Sequence, residues 1–359
     1  MDRSDESGGP GGKRSRGSGS EASRHRSRSP AANIGLATVA ELAGVSEATV
    51  SRVLNRKYGV SQATREVVEA ALRKAGYERQ LKGELVLLLV PGVAEQIFAD
   101  LCEAIENEIA PYGLRAVICP GTQRERDYVE AMIDAGIAAV VFLSSSNTMR
   151  NTDPVARQLL QSRGIPFLCV NGGFADIPSP VFSTDDWRAA EVAVAHLYDL
   201  GHRRIGMCAG PVGNTPADRR VEGFVQAMDR RDLPNSDDFV VRQYYNIEGG
   251  RHSAEALLQM GVTAIVASSD DMALGAMRAI QRNGLKVPSD ISVIGYNDSY
   301  MLDFTGPPLT SVRQPVERIA ENTTRAIVAL TGNRELPLTE VLIEPEIRLR
   351  GSTGPVAVR

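Results

Sequence analysis

The chain has 359 residues, 43% of them hydrophobic, and a formal net charge of −4. That length and apolar content suffice for at least one large core and predict two or three units. Cys102, Cys119, Cys169 and Cys208 lie far apart and pair with no histidine at metal-ligand spacing, which excludes a zinc site or a disulfide framework and predicts buried thiols in a reducing cytoplasm. No stretch is long and apolar enough to span a membrane.

The charge is uneven: residues 1–83 hold 15 Lys/Arg against 9 Asp/Glu, so this end is the one expected to meet nucleic acid. Residues 1–32 are rich in Ser, Gly and Arg and carry no signal-peptide pattern, which predicts a disordered arm. The arm is either a solvated tail or a source of nonspecific phosphate attraction.

Residues 33–77 read as an all-α head. Leu36, Val39, Ala40 and Ala43, then Val45, Val50, Val53 and Leu54, give two runs of helical spacing. Gly44 between them suits a tight turn and Ser46 an N-cap, so the pair is a helix-turn-helix. With the valines inward, Glu47, Ala48, Ser51, Arg52 and Asn55 face outward, and the start of a recognition helix meets base edges. Arg52 can reach a guanine edge or a phosphate, while Ser46, Thr49 and Ser51 can bond phosphate oxygens. A third helix starts at the Ser61 cap and runs to Ala75 before Gly76. Its Val67, Val68, Ala71 and Leu72 are expected to close the core, and Thr64 and Arg65 at its start are candidate phosphate ligands. Taken singly, each polar residue here reads equally as a solvated helix position.

Leu42-Ala43-Gly44-Val45-Ser46, Thr49-Val50-Ser51-Arg52-Val53-Leu54-Asn55, Val60-Ser61, Thr64-Arg65 and Gly76-Tyr77 in that order resemble the head of the LacI/GalR family. Relatives of that kind place a short hinge helix after the head, with a Leu that wedges into the minor groove. Here residues 78–83 are only Glu78-Arg79-Gln80-Leu81-Lys82-Gly83, roughly seven residues shorter and too short for a stable independent helix. Leu81 alone could act as a wedge, and little minor-groove kinking is expected.

Residues 84–355 alternate short apolar runs with helical segments. Leu85 to Val90, Arg115 to Cys119, Ala138 to Leu143 and Phe167 to Val170 read as buried parallel strands, separated by helices at Glu95 to Tyr112, Arg124 to Ala135 and Pro154 to Arg163. The pattern repeats with strands at Arg204 to Cys208, Asp238 to Arg242, Thr263 to Ala267 and Ile291 to Tyr296. Its helices are near Ala189 to Leu200, Arg219 to Arg230, Gly249 to Met260 and Met272 to Asn283. Two doubly wound α/β lobes follow. The helix Pro315 to Leu330 and a final strand pair in Val341 to Arg350 require the chain to revisit both lobes, placed at about 84–182 with 315–338 and about 183–311 with 339–355. The expected fold is a helix-turn-helix head and a two-lobed, periplasmic-binding-protein-like α/β domain with a hinged cleft.

Ligands in such lobes sit beyond the carboxyl ends of strands, which points to Pro91, Asn171, Ser269 and Asn297. The family resemblance continues through Leu200-Gly201-His202-Arg203-Arg204, Arg220-Val221-Glu222-Gly223-Phe224, Ser269-Asp270-Asp271-Met272 and Val293-Ile294-Gly295-Tyr296-Asn297-Asp298 to Gln314. It implies that Arg220 and Tyr245 line the cleft, that Asn171, Ser269, Asn297 and Gln314 bond a polar ligand, and that Pro91 and Phe98 form an apolar wall. An arginine fork, amides and a stacking tyrosine suit a carbohydrate. Positions 171 and 297 depart from the carboxylates common in the family, which favours a neutral polyol or oligosaccharide. Competing readings make Asn171 and Asn297 turn residues and Ser269 a helix cap. Asp185 and Asp186 are expected to cap the helix they precede.

The resemblance implies a homodimeric, cytoplasmic transcriptional regulator, most simply a repressor. It would bind double-stranded, pseudo-palindromic operator DNA under control of a small-molecule effector, with no cofactor, metal or membrane partner. The alternative is a solute-binding protein of a transport system, which shares the two-lobed body. An enzyme is disfavoured: His25, His196, His202 and His252 are isolated, and no nucleophile motif or phosphate-cradling glycine loop is present.

Overall fold

The computed structural model describes residues 36–54, 59–75, 83–233 and 237–357. Asn55, Leu81, the arm at 1–32 and all of the 78–83 connection except Gly83 lie outside the described residues. The chain divides into two compact units, Met1–Arg79 and Gln80–Arg359.

In the first unit, α1 (Leu36–Ala43), α2 (Glu47–Leu54) and α3 (Gln62–Ala75) enclose a small core of Val39, Ala40, Ala43, Val50, Val53, Val68 and Ala71. The α1–α2 turn passes through Gly44 at φ +65, a backbone conformation that a Cβ disfavours. Val67, expected in the core, is instead 50% exposed. Val68, Ala71, Leu72 and Ala75 form the inward stripe at helical spacing, and Val67 lies off it.

The second unit contains two six-stranded sheets. Their elements, in chain order, are β1 (Leu85–Val90), α4 (Gln96–Ile109), β2 (Arg115–Pro120), α5 (Glu125–Ala135), β3 (Ala139–Leu143), α6 (Val155–Ser162), β4 (Phe167–Val170), β5 (Val181–Thr184), α7 (Asp186–Asp199), β6 (Ile205–Ala209), α8 (Thr215–Asp229), β7 (Val240–Arg242), α9 (Ile247–Gln259), β8 (Ala264–Ala267), α10 (Asp270–Arg282), β9 (Ser292–Asn297), β10 (Thr310–Arg313), α11 (Val316–Thr331), β11 (Glu340–Ile343) and β12 (Glu346–Arg348). The first sheet runs β11-β5-β4-β3-β1-β2 and the second β12-β10-β9-β8-β6-β7. All pairings are parallel except β10 with β12. The central strands are buried on both faces because helices cover them: α4 and α11 on one side of the first sheet, α5 and α6 on the other.

The chain crosses between sheets three times, after β5, after β10 and between β11 and β12. This corrects the expected lobe boundaries. Residues 183–184 finish β5 and residues 340–343 form β11, so both belong to the first lobe and not to the second. Likewise Val341 to Arg350 is not a strand pair: β11 pairs with β5 and β12 with β10, one in each sheet.

Candidate functional site

In the head, the residues expected to meet DNA share two repeated capping devices. The Thr49 backbone N–H donates to Ser46 Oγ at 3.2 Å, and the two hydroxyls lie 2.9 Å apart. Ser61 and Thr64 repeat the arrangement at 3.2 and 2.8 Å. Each serine thus satisfies one orphan helix donor. Glu47, Ala48 and Arg52 are exposed on α2, with Ser51 half-buried beside them; Arg65 is half-buried on α3. The exposed face of α2 therefore presents one guanidinium, one carboxylate and one methyl group, a set able to meet guanine, cytosine and thymine edges.

In the second unit the strand ends of both lobes meet around a cleft of about 390 Å³. All eight residues expected to contact a ligand, Pro91, Phe98, Asn171, Arg220, Tyr245, Ser269, Asn297 and Gln314, line it. Asn171 follows β4 at φ +61 and Asn297 ends β9 at φ +120. Between them runs a chain of amides: Asn171 Nδ2 donates to Gln314 Oε1 at 3.4 Å, and Gln314 Nε2 donates to Asn297 Oδ1 at 2.8 Å. Thr184 completes it, its N–H donating to Asn171 Oδ1 and its hydroxyl to Gln314 Oε1. These amides join the two lobes at the crossings as well as facing the cleft.

Arg220 dominates the second lobe's wall. Its Nη1 donates to Asp186 Oδ1 at 3.1 Å, its Nη2 to the Tyr245 hydroxyl at 2.6 Å, and its guanidinium stacks over Tyr296 at 4.2 Å. Asp186 also accepts from the Tyr296 hydroxyl at 2.8 Å. Asp186 is therefore not a cap: Asp185 caps α7 by accepting from the Arg188 N–H at 3.0 Å, while Asp186 is the buried counter-charge of Arg220. A buried guanidinium cannot shed its proton and needs such a partner. Burial pushes the Asp186 carboxyl upward, opposed by Arg220 and by the Tyr296 hydroxyl. Gly210 makes room for this cluster, since a Cβ there would collide with the Tyr245 ring.

Two polar atoms in this wall have no hydrogen-bond partner among the described residues, Arg220 Nε and Ser268 Oγ, on residues 6% and 1% exposed. The sequence pointed to Ser269, but Ser269 Oγ accepts from the Met272 N–H at 3.2 Å as the cap of α10. The unsatisfied hydroxyl belongs to its neighbour. Ser268 carried no signal in the sequence beyond lying at a strand end.

The first lobe's wall includes Ser144, Ser145 and Thr148. This loop is held from behind by Glu125, a buried carboxylate that accepts from the Ser146 N–H at 3.0 Å and from the Ser145 hydroxyl. Burial raises the Glu125 pKa against those bonds. The loop then meets the second lobe: the Arg150 N–H donates to Gly213 O at 3.0 Å, Asn214 Nδ2 donates to Thr148 Oγ1 at 3.3 Å, and Arg150 pairs with Asp218 at 3.3 Å. A second bridge joins Arg219 of α8 to Glu340 of β11 through two bonds of 2.6 and 2.7 Å. The lobes are therefore latched together around the cleft. Among the described residues no group of His, Cys, Asp and Glu could hold a metal ion, and no helix is long and apolar enough to cross a membrane. The four cysteines are free and buried.

A helix-turn-helix carried on the same chain as a two-lobed, partly unsatisfied cleft defines a ligand-responsive DNA-binding regulator of transcription. Residues 36–80 match the family described as bacterial regulatory proteins of the lacI family, and residues 194–353 match the periplasmic binding protein-like domain. The chain is 40% identical to an HTH-type transcriptional regulator encoded in the aml 5′ region of Streptomyces limosus, over 89% of this chain and 94% of that one. It is 39% identical to MalR of Streptomyces coelicolor, over 89% and 96%. Among solved structures it resembles the CelR–cellobiose complex (TM-score 0.69, 28% identity, 89% of this chain and 99% of that one). The Lac repressor dimer bound to operator and an anti-inducer is similarly close (TM-score 0.72, 25% identity, 89% and 99%). The chain belongs to the LacI family. It is a DNA-binding regulator and not an enzyme, and the reading as a transport-associated solute-binding protein is set aside, because its relatives are transcriptional regulators over nearly their whole lengths.

Proposed function

We propose that this regulator binds a pseudo-palindromic operator as a homodimer in the cytoplasm, represses transcription there, and is controlled by a neutral sugar or oligosaccharide held in the cleft. The observation that carries the effector assignment is the pair of buried, unpartnered polar atoms, Arg220 Nε and Ser268 Oγ, in a cleft that also presents the apolar or aromatic faces of Pro91, Phe98 and Tyr245. Buried polar groups are ordinarily satisfied, and a donor and a hydroxyl in one cleft fit a ligand rich in hydroxyls. The relative solved with cellobiose supports the same ligand class.

In the head, Ser46, Glu47, Ala48, Thr49, Ser51 and Arg52 are the groups we assign to DNA, with Ser61, Thr64 and Arg65 on phosphates. Asn55 and Leu81 belong to the same assignment from the sequence. The short 78–83 connection leads us to place control in the spacing of two heads, without a sharp minor-groove kink. The test of the effector assignment is a thermal-shift screen of the full chain against cellobiose, maltose and longer oligosaccharides, since ligands that bind only the folded state raise apparent stability. Arg220→Ala is expected to abolish any such shift; a full shift in that variant would overturn the cleft assignment.

A further inference from the structure

Glu95 is a cleft residue that neither the fold nor the contacts so far account for. It precedes α4 with an extended backbone (φ −83, ψ 129), the usual station of a capping acid, yet its side chain makes no cap bond. Among the described residues the Glu95 carboxylate has no hydrogen bond and no ion pair, although the backbone carbonyl accepts from the Phe98 N–H at 3.2 Å. It nonetheless lines the cleft, in the lobe opposite Arg220.

The charge balance of the cleft gives this carboxylate its meaning. Arg220 is the lining cation, and its charge is already matched by Asp186 at 3.1 Å. Glu95 is unmatched; Asp271, at the start of α10, is not among the residues lining the cleft, but its charge helps to raise the Glu95 pKa. An anionic ligand would enter against the Glu95 carboxylate, with the arginine's charge already engaged. Meanwhile Arg220 Nε and Ser268 Oγ still need partners, so the cleft is built for a ligand with hydroxyls on both sides and no formal negative charge.

We propose that Glu95 is an effector-contacting carboxylate that accepts hydroxyl hydrogen bonds from an uncharged polyol and bars phosphorylated or carboxylated sugars from the cleft. This inference rests on the sugar-effector reading above and narrows it to non-phosphorylated ligands.

A proton linkage follows. Burial, with Asp271 adding to it and Arg220 opposing, pushes Glu95 up to about 7. The Tyr245 hydroxyl is the other titratable group that feels it. A ligand that donates hydroxyls to the ionised form lowers that pKa, so binding expels a proton near neutrality and tightens as pH rises from 6 to 8.

The experiment is isothermal calorimetry on the full chain with cellobiose and maltose, each beside its 6′-phosphate, at pH 6 and pH 8. The wild type is expected to bind a neutral disaccharide several-fold more tightly at pH 8 and its phosphate at least tenfold more weakly than the neutral form. Glu95→Gln should weaken the neutral sugar by about tenfold, the scale of one charge-assisted hydrogen bond, and flatten the pH dependence. Asp271→Asn should leave the pH dependence in place but move it to lower pH. Equal or tighter binding of the phosphorylated sugar overturns this inference while leaving the sugar reading intact, as does a Glu95→Gln variant with unchanged affinity and pH slope. If neither disaccharide nor its phosphate binds the wild type, the sugar reading itself fails and this inference falls with it.

Discussion

Glu340→Gln tests whether closure of the two lobes controls effector binding. Glu340 accepts two bonds from Arg219, at 2.6 and 2.7 Å, and one from the Ser183 hydroxyl at 2.5 Å. The Arg219 guanidinium is further held over the Trp187 ring at 4.6 Å. The arginine side chain is 15% exposed and the glutamate 27%, so the pair is screened less than a surface pair but is not dry. Charge-assisted bonds contribute about 1.5–3 kcal/mol when covered and exposed pairs about 0–1. A loss of about 1.5 kcal/mol is the intermediate expectation, equivalent to roughly tenfold in the closing equilibrium. Of the other ion pairs between elements of the two lobes, Arg150 with Asp218 has its arginine 71% exposed and falls in the weak class. Because the cleft draws its walls from both lobes, a ligand that binds the closed form loses affinity in proportion to the closed population lost, by a few-fold and at most about tenfold. Calorimetry with a bound disaccharide should show that loss in Glu340→Gln and less than a twofold change in Arg150→Ala. Unchanged or tighter binding in Glu340→Gln would falsify the role given to the latch.

Three further outcomes follow from the same geometry. Glu95 has a folded pKa raised from 4.5 to about 7, so its destabilising effect is absent below pH 4.5, grows between those values and is complete above them; Glu95→Gln should therefore raise the melting temperature at pH 8 and not at pH 4.5. The ceiling is about 3 kcal/mol at roughly 1.4 kcal/mol per unit, and equal shifts at both pH values would contradict it. Gly210→Ala should displace the Tyr245 ring and weaken disaccharide binding by an order of magnitude with little change in melting of the head, checked by calorimetry beside hydrogen exchange. Ser46→Ala and Ser61→Ala each remove an N-cap and should destabilise the head by about 1 kcal/mol; their effects should add, since the two caps share no partner, and a strongly non-additive double variant would show that the caps are coupled.

The parts of the fold legible in the sequence were those written in uninterrupted apolar runs. Leu85-Val86-Leu87-Leu88-Leu89-Val90 is too short for a core helix and reads as a strand buried on both faces, and β1 has those bounds. β5 and β10 escaped because their buried positions are polar: Ser183, Thr184, Thr310 and Ser311 are all fully buried and hydrogen-bonded. Hydrophobic patterning cannot see a strand of that kind, and missing β5 is what misplaced the first lobe boundary. The cleft shows the same division. Strand-end logic and the family motifs brought eight residues to one cavity, but they could not separate adjacent residues with opposite roles, Asp185 the cap from Asp186 the counter-charge, or Ser269 the cap from Ser268 the unsatisfied hydroxyl. A helix start fixes which residue is outside and which is inside only once its first turn is positioned to within one residue. Glu95 was invisible for a related reason: the sequence reads it as the first residue of a helix, where an acid is unremarkable, and its lack of a cap bond is a fact of three dimensions.

The central claim is that the chain joins a DNA reader to a ligand sensor, and it is tested most directly by measuring operator binding and ligand binding in the same two variants. Fluorescence anisotropy at fixed salt, with a duplex selected from random sequence by the full chain, gives the first quantity; calorimetry with the disaccharide gives the second. Arg52→Ala should lose about 1–3 kcal/mol of operator affinity and keep its ligand, whereas Arg220→Ala should keep operator affinity and lose both the ligand and its effect on DNA binding. Operator affinity unchanged in Arg52→Ala, or a ligand response intact in Arg220→Ala, would contradict the account.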